Sequence, residues 1–209
     1  MVNYTSEVYM VSMSLTWKQL LNLKPVNLTV ENLSRENKIK ALKESEHSMS
    51  LDNSQEQRSA LKRCVIATLG EQLIAQCTNG RVMDTEFNKA NPFSYSFDVI
   101  SEEGVRIEVK THQSDSRWIS VHTKGRHPYP YGSGIDLDGF LTYRLSDLII
   151  ILDVEEVGPG VYRFIPRMMG DQTAFLPGSG LVQESKYENG GWYLRSCSEE
   201  EYQFKRFTY

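Results

Sequence analysis

Apolar and polar residues alternate on both sides of a short turn near the middle of the chain. Residues 93–110 comprise the segments FSYSFDVI and VRIEVK, joined by SEEG. Strict alternation predicts two β-strands, each with one buried face. The joining segment suits a three-residue hairpin loop in which Gly104 takes the left-handed conformation. Counting outward from this loop places Asp98 opposite Glu108.

A helical pattern precedes this hairpin. Residues 56–77 (EQRSALKRCVIATLGEQLIAQC) carry apolar side chains at i, i+4 intervals along one stripe, which predicts an α-helix. Asn79 and Gly80 should end this helix, with Gly80 as the residue in the left-handed conformation. Glu71 lies near the edge of the apolar stripe. Two interpretations of Glu71 stay open, namely an acid of a metal site and a solvated helix glutamate.

Residues 147–153 (DLIIILD) form a continuous apolar run bounded by acids. Such a run is typical of a strand that is buried on both faces. A glycine-rich turn at 158–160 and an alternating strand at 161–165 follow. Further predicted elements are strands at 81–87, 117–123 and within 181–209, and a short helix within 137–145. Helices and strands in this order predict an α/β fold.

The first 55 residues have a different pattern. Residues 14–21 predict a short capped helix that Pro25 terminates, and the highly charged residues 30–44 predict a second helix. Residues 45–55 are polar and predict a linker or surface loop. We therefore expect an N-terminal helical appendage and linker at 1–55, followed by a core domain at 56–209.

The charged residues of the hairpin suggest a chemistry. Glu108 and Lys110 project from the same face of their strand, because side chains alternate across a strand. Opposed Cβ atoms in a hairpin are about 4.5–5.5 Å apart, so the carboxylates of Asp98 and Glu108 repel each other unless a cation or a proton lies between them. A divalent metal is the simplest remedy, and a hard ion such as Mg²⁺ prefers oxygen ligands.

Asp98 followed by Glu108-Val109-Lys110 resembles the D…(D/E)xK motif of the PD-(D/E)xK nuclease superfamily. The resemblance covers residues 56–153, although Phe97 replaces the usual proline and no long helix is predicted between the motif strand and the next core strand. It implies a restriction-endonuclease-like mixed central sheet flanked by helices.

The resemblance also implies a function, which is the hydrolysis of DNA phosphodiester bonds. We expect an endonuclease of restriction, phage or mobile-element type. Mg²⁺, with Mn²⁺ as a substitute, would be bound by Asp98, Glu108 and the carbonyl of Val109, and Lys110 would assist the attacking water. Glu71 would complete the metal shell or bind a second ion. A homodimer is also considered, because cutting both strands commonly takes two active sites.

Two alternatives stay open. The hairpin could be an exposed surface element with an ordinary Glu108–Lys110 pair. The protein could also be a non-catalytic member of the same fold that binds nucleic acid or a partner protein. Cleavage assays on variants of the motif residues would separate these alternatives from the nuclease hypothesis.

Composition limits the hypothesis further. The net charge of −4 argues against a broadly basic nucleic-acid binder but allows a local basic groove. Three scattered cysteines, with no CxxC pair, favour reduced thiols over a disulfide or a zinc site. The absence of a long apolar run and of a signal-peptide pattern predicts a cytoplasmic protein with no membrane contact. The candidates for a basic groove are Lys110, Arg117, Lys124, Arg126, His112, His122 and His127.

Overall fold

The computed structural model describes residues 15–51, 56–83, 97–113, 118–122, 135–179, 181–184, 186 and 192–195. Its helices are α1 (residues 15–21), α2 (Arg35–Leu51), α3 (Gln57–Cys77) and α4 (Asp138–Leu141), and a 3₁₀ turn spans Val30–Asn32. The strands are β1 (Val26–Thr29), β2 (Arg81–Val82), β3 (Val99–Ile100), β4 (Arg106–His112), β5 (Trp118–His122), β6 (Ile135–Asp136), β7 (Leu148–Gly158), β8 (Val161–Gly170), β9 (Val182–Glu184) and β10 (Trp192–Arg195).

The strands form two mixed sheets. The first has the order β1-β8-β7-β4-β3-β2, and the second has the order β6-β5-β10-β9. In the first sheet β4 pairs with β7 in parallel, and the other four pairs of neighbouring strands are antiparallel. The fold is therefore a mixed α/β architecture, as the sequence predicted. The predicted strand at 117–123 is observed as β5, and two of the predicted C-terminal strands are observed as β9 and β10.

Strand β7 lies in the middle of the first sheet, and its first five residues are buried. Alternate residues of β7 face two different apolar cores. Leu148, Ile150 and Leu152 pack in the core that contains α3, whereas Ile149 and Ile151 pack with residues of the second sheet. The prediction of a strand that is buried on both faces is therefore confirmed.

Helix α3 matches the predicted helix almost residue for residue, but its end differs from the prediction. Asn79, rather than Gly80, takes the left-handed conformation, with φ of 47°. Gly80 has a different role, since a Cβ atom at this position would lie 2.2 Å from the carbonyl oxygen of Ile100. The sequence pattern could not separate the two adjacent residues, and packing against β3 decides which must be glycine.

Helix α2 also differs from the prediction at both ends. It begins at Arg35 instead of Val30, because Ser34 caps it: the Asn37 N–H donates to Ser34 Oγ at 3.1 Å. It continues through residues 45–51, where we predicted a linker. The linker prediction is wrong for these residues. Serine hydroxyls donate to carbonyls of the preceding turn there, so a polar segment remains helical.

The N-terminal segment contributes directly to the sheet and the core. Strand β1, which the sequence pattern did not predict, pairs with β8 at the register Val26↔Phe164. Trp17, Leu20 and Leu33 are buried in the same apolar core as α3. The described part of the predicted appendage is thus packed against the predicted core domain.

Several expectations fall partly or wholly outside the described residues. They are the strand residues 84–87 and 93–96, the basic-groove candidates Arg117, Lys124, Arg126 and His127, and Cys197. Cys64 and Cys77 are free thiols. In the described part of the chain, no helix combines the length and apolar character needed to cross a bilayer.

Candidate active site

The β3–β4 hairpin has the register that the alternation predicted. Val99 pairs with Ile107, and the Ser101 N–H donates to the Val105 carbonyl at 2.9 Å. Gly104 lies in the left-handed region with φ of 83°. The predicted turn is therefore confirmed. The paired register ends at Val99 and Ile107, and Asp98 immediately precedes Val99, so its predicted position opposite Glu108 stays a prediction.

Asp98 is held at this position by hydrogen bonds from the neighbouring strands. Its N–H donates to the Ile107 carbonyl at 3.1 Å, and its carbonyl accepts from the Met83 N–H at 2.8 Å. Its Oδ2 accepts from the Val109 N–H at 2.7 Å. The carboxylate of Asp98 is thus fixed against the segment that carries Glu108.

Glu108 and Lys110 alternate with the buried Ile107 and Val109 along β4. Lys110 Nζ lies 2.5 Å from Glu108 Oε1. Burial lowers the pKa of Lys110, but the charges of Glu108 and Asp98 outweigh burial and raise that pKa above its ordinary value. Lys110 therefore presents a charged ammonium group beside two carboxylates.

Glu71 reaches the same cluster from α3. Its neighbour Gly70 lets the helix lie closely on β4, since a Cβ there would be 2.9 Å from Thr111 Cγ2. Glu71 is only 5% exposed, so the interpretation as a solvated helix glutamate is wrong. Burial and the charge of Asp98 raise the pKa of Glu71 well above its ordinary value, and Lys40 opposes that rise.

Lys40, on α2, is a member of this cluster that the sequence did not reveal. Only 3% of Lys40 is exposed. Its Nζ lies 2.7 Å from Glu71 Oε2, 3.1 Å from the Met83 carbonyl and 3.6 Å from Glu44 Oε1. Burial lowers the pKa of Lys40, but the surrounding acids outweigh burial and raise it. The charge pattern of a solvated helix gave no signal that this lysine is buried.

A second cluster of polar side chains, which consists of His112, Asp153 and Arg167, lies next to the site along the polar face of β4. His112 follows Lys110 on the same face, because side chains alternate along the strand. His112 Nδ1 lies 3.0 Å from Asp153 Oδ1, and Arg167 Nε donates to Asp153 Oδ2. All three side chains are largely buried. Asp153 therefore fixes the orientation of the His112 ring at the end of the site.

The donor set can be tested against the expected metal ion. Within the described ranges, no group of three His, Cys, Asp or Glu side chains is arranged to hold a metal. Mg²⁺ often uses only one or two carboxylates and keeps several waters. Asp98 and Glu108, together with the carbonyl of Val109, supply such a limited set of oxygens. The residues present thus fit an ion bound by two carboxylates.

Among the predicted site residues, Asp98 contacts Val109, Lys110 contacts Glu108, and the charges of Asp98 and Glu71 both act on Lys110. Of the candidates for a basic groove, the structure describes the side chains of Lys110 and His112 alone.

Comparison with known proteins gives two matches and one negative result. A family model described as Bacteriophage T4 endonuclease IV matches residues 10–196. Endonuclease IV of Enterobacteria phage T4 is 35% identical over 180 residues, which cover 85% of this chain and 95% of that relative. No solved structure matches the chain. The similarity therefore includes the hairpin, α3 and most of the N-terminal segment.

Proposed function

Because the chain belongs to the bacteriophage T4 endonuclease IV family, we propose that it is a phage-type DNA endonuclease with its active centre at Asp98, Glu108 and Lys110. The observation that carries this assignment is the β3–β4 hairpin. It carries two acids: Asp98 accepts from the Val109 N–H of the neighbouring strand through Oδ2, and the Lys110 ammonium group lies 2.5 Å from Glu108 Oε1. Two carboxylates and an ammonium group on one hairpin are the groups that metal-assisted phosphodiester hydrolysis requires.

Our proposal includes a Mg²⁺ ion, with Mn²⁺ as a substitute. Asp98, Glu108 and the carbonyl of Val109 would hold it, and when bound it would lower the pKa of a coordinated water and neutralise charge on the phosphate. The Val109 N–H donates to Asp98 Oδ2 at 2.7 Å, so Asp98 Oδ1 would be the oxygen offered to the ion. Lys110 would orient the attacking water or stabilise the negative charge that develops on the phosphate.

The order of elements supports placing the chain in the PD-(D/E)xK superfamily, which we also propose. Helix α3 precedes the antiparallel strands β2, β3 and β4, and the buried strand β7 lies parallel to β4. These are the elements that the motif resemblance leads us to expect. The connection from β4 to β7 departs from the usual pattern, because it contains β5, β6 and the four-residue helix α4.

A cleavage assay tests the proposal. Supercoiled plasmid and single-stranded DNA are incubated with the protein in Mg²⁺, in Mn²⁺ or in EDTA. We expect metal-dependent cleavage that Asp98→Asn and Lys110→Met each reduce by about 100-fold or more, because each removes a group that stabilises the transition state. The matched control is Lys62→Met, which removes a lysine from an exposed Lys–Glu pair elsewhere. It should cleave at the wild-type rate.

Each other outcome has a distinct meaning. Cleavage that persists in EDTA would refute the metal dependence. Equal residual cleavage in wild type and both variants would indicate a contaminant, and the absence of cleavage together with DNA binding would favour the non-catalytic alternative. The homodimer and the cytoplasmic location stay predictions, and sedimentation analysis tests the first of them.

A further inference from the structure

We infer that Lys40 is a positioning residue of the proposed centre: its ammonium group engages Glu71 in place of a second divalent cation, so that the centre binds a single metal ion through Asp98 and Glu108. The inference rests on the proposed function, and it concerns how many ions the centre takes. It also assigns a role to a residue that lies outside the nuclease motif.

The contacts of Lys40 are the first argument. Its Nζ lies within 3.6 Å of three oxygens, which belong to Glu71, Glu44 and the Met83 carbonyl. It donates hydrogen bonds to two of them, Glu71 Oε2 and the Met83 carbonyl, and Glu44 Oε1 at 3.6 Å adds an ion-pair contact. Lys40 is therefore a fixed internal cation and is not available to reach into solvent.

The connection to Asp98 is the second argument. The Met83 residue that accepts from Lys40 also donates its N–H to the Asp98 carbonyl at 2.8 Å. The charge of Asp98 also raises the pKa values of both Lys40 and Glu71, as expected for neighbouring groups. Lys40 and Glu71 thus form an ion pair that the Met83 backbone connects to Asp98, one of the two proposed metal ligands.

Competition for Glu71 is the third argument. A divalent ion coordinated by Glu71 would lie close to an ammonium group that is only 2.7 Å from one of its oxygens. The two cations would repel each other with little water to screen them, because the Lys40 and Glu71 side chains are 2% and 7% exposed. The Lys110 and Glu108 side chains are 35% and 21% exposed, so water can screen Lys110 from an ion at Glu108. The described residues also contain no group of three ligands. Glu71 therefore balances Lys40 and supports Asp98 without coordinating the ion.

Mn²⁺ binding to the full-length protein, measured by electron paramagnetic resonance of the free ion, tests this inference without any assay of activity. Wild type should bind one Mn²⁺ per chain. Lys40→Met frees the Glu71 carboxylate and should allow a second, weaker ion. Lys40→Arg should restore a single ion, and so should the double variant Lys40→Met/Glu71→Met. The matched control Lys62→Met should also bind one. Thermal melting confirms that each variant is folded.

A separate variant keeps the test decisive if Lys40→Met does not fold. Glu71→Gln should still bind one Mn²⁺ and should lose less Mn²⁺ affinity than Asp98→Asn, because of these two residues only Asp98 is a proposed ligand. An equal loss of affinity in both variants would overturn the inference, as would a folded Lys40→Met variant that still binds one ion. Two ions in wild type would overturn this inference alone, whereas no bound ion would also overturn the metal dependence of the proposed nuclease.

Discussion

Removing the charge of Lys40 while leaving Glu71 in place should strongly destabilise the fold. The two side chains are 2% and 7% exposed, and their charged atoms are 2.7 Å apart. At an effective dielectric constant of about 20, two unit charges at this distance attract each other by about 6 kcal/mol. Desolvation of both groups offsets part of this attraction, so the net worth of the pair is much smaller.

The cost of breaking the pair is larger than its net worth, because one buried charge then has no partner. Lys40→Met should lower the free energy of unfolding by about 3–5 kcal/mol. For a chain of this length, about 2–4 °C is lost per kcal/mol, which corresponds to a fall in melting temperature of about 6–20 °C. The double variant Lys40→Met/Glu71→Met buries no charge and should recover most of this loss.

Urea denaturation followed by circular dichroism measures the effect, and an unchanged m-value would show that the folded state is preserved. The exposed pair Lys62–Glu156 provides the control, since these side chains are 47% and 40% exposed. Lys62→Met should change stability by no more than about 1 kcal/mol. A loss below about 1 kcal/mol for Lys40→Met, or a double variant no more stable than the single one, would refute the reasoning.

Three other positions give sharp expectations. Gly80→Ala should cost about 1–3 kcal/mol of stability by overpacking, because the new Cβ would lie 2.2 Å from the β3 backbone. The control Gly158→Ala should be nearly neutral, because the nearest atom to its new Cβ is 3.9 Å away. Equal denaturation midpoints for the two variants would contradict this. Asp147→Asn should cost about 1.5–3 kcal/mol in the same assay, because the Asp147 carboxylate accepts three hydrogen bonds from Arg106, and an unchanged midpoint would count against that role. Burial raises the pKa of Cys64 to about 11, so iodoacetamide at pH 8 should modify Cys64 far more slowly in the folded protein than in urea, as mass spectrometry would show; equal rates would be inconsistent with the buried thiol.

Local patterns carried enough information to predict the hairpin and its register. Alternation fixes which side chains share a face, and a single glycine in the left-handed conformation, Gly104, fixes where the turn lies. Once these are set, the pairs Val99↔Ile107 and Ile100↔Arg106 follow by counting. The same reasoning located α3 and β7, because their apolar patterns are long and unambiguous.

Features that depend on distant partners could not be predicted in this way. Strand β1 has only four residues, too few for the alternation of Val26 and Leu28 with polar residues to be distinctive, and it is a strand because β8 provides its partner at Val26↔Phe164. Likewise, Lys40 is one of several lysines on a charged helix. Its burial depends on Glu71, 31 positions further along the chain, which no local pattern reveals.

These missed features show that the N-terminal segment and the proposed centre form one unit. Trp17 and Leu20 fill the core beneath α3, and Lys40 neutralises the acid that α3 presents to the hairpin. Without residues 1–55, Glu71 would lose the Lys40 ammonium group that lies 2.7 Å from its carboxylate, and burial and the charge of Asp98 would raise the pKa of Glu71 further. The arrangement of Asp98 on which the proposed metal site depends is therefore supported by a segment that precedes the nuclease motif, and a catalytic fragment that starts at α3 should not retain this site.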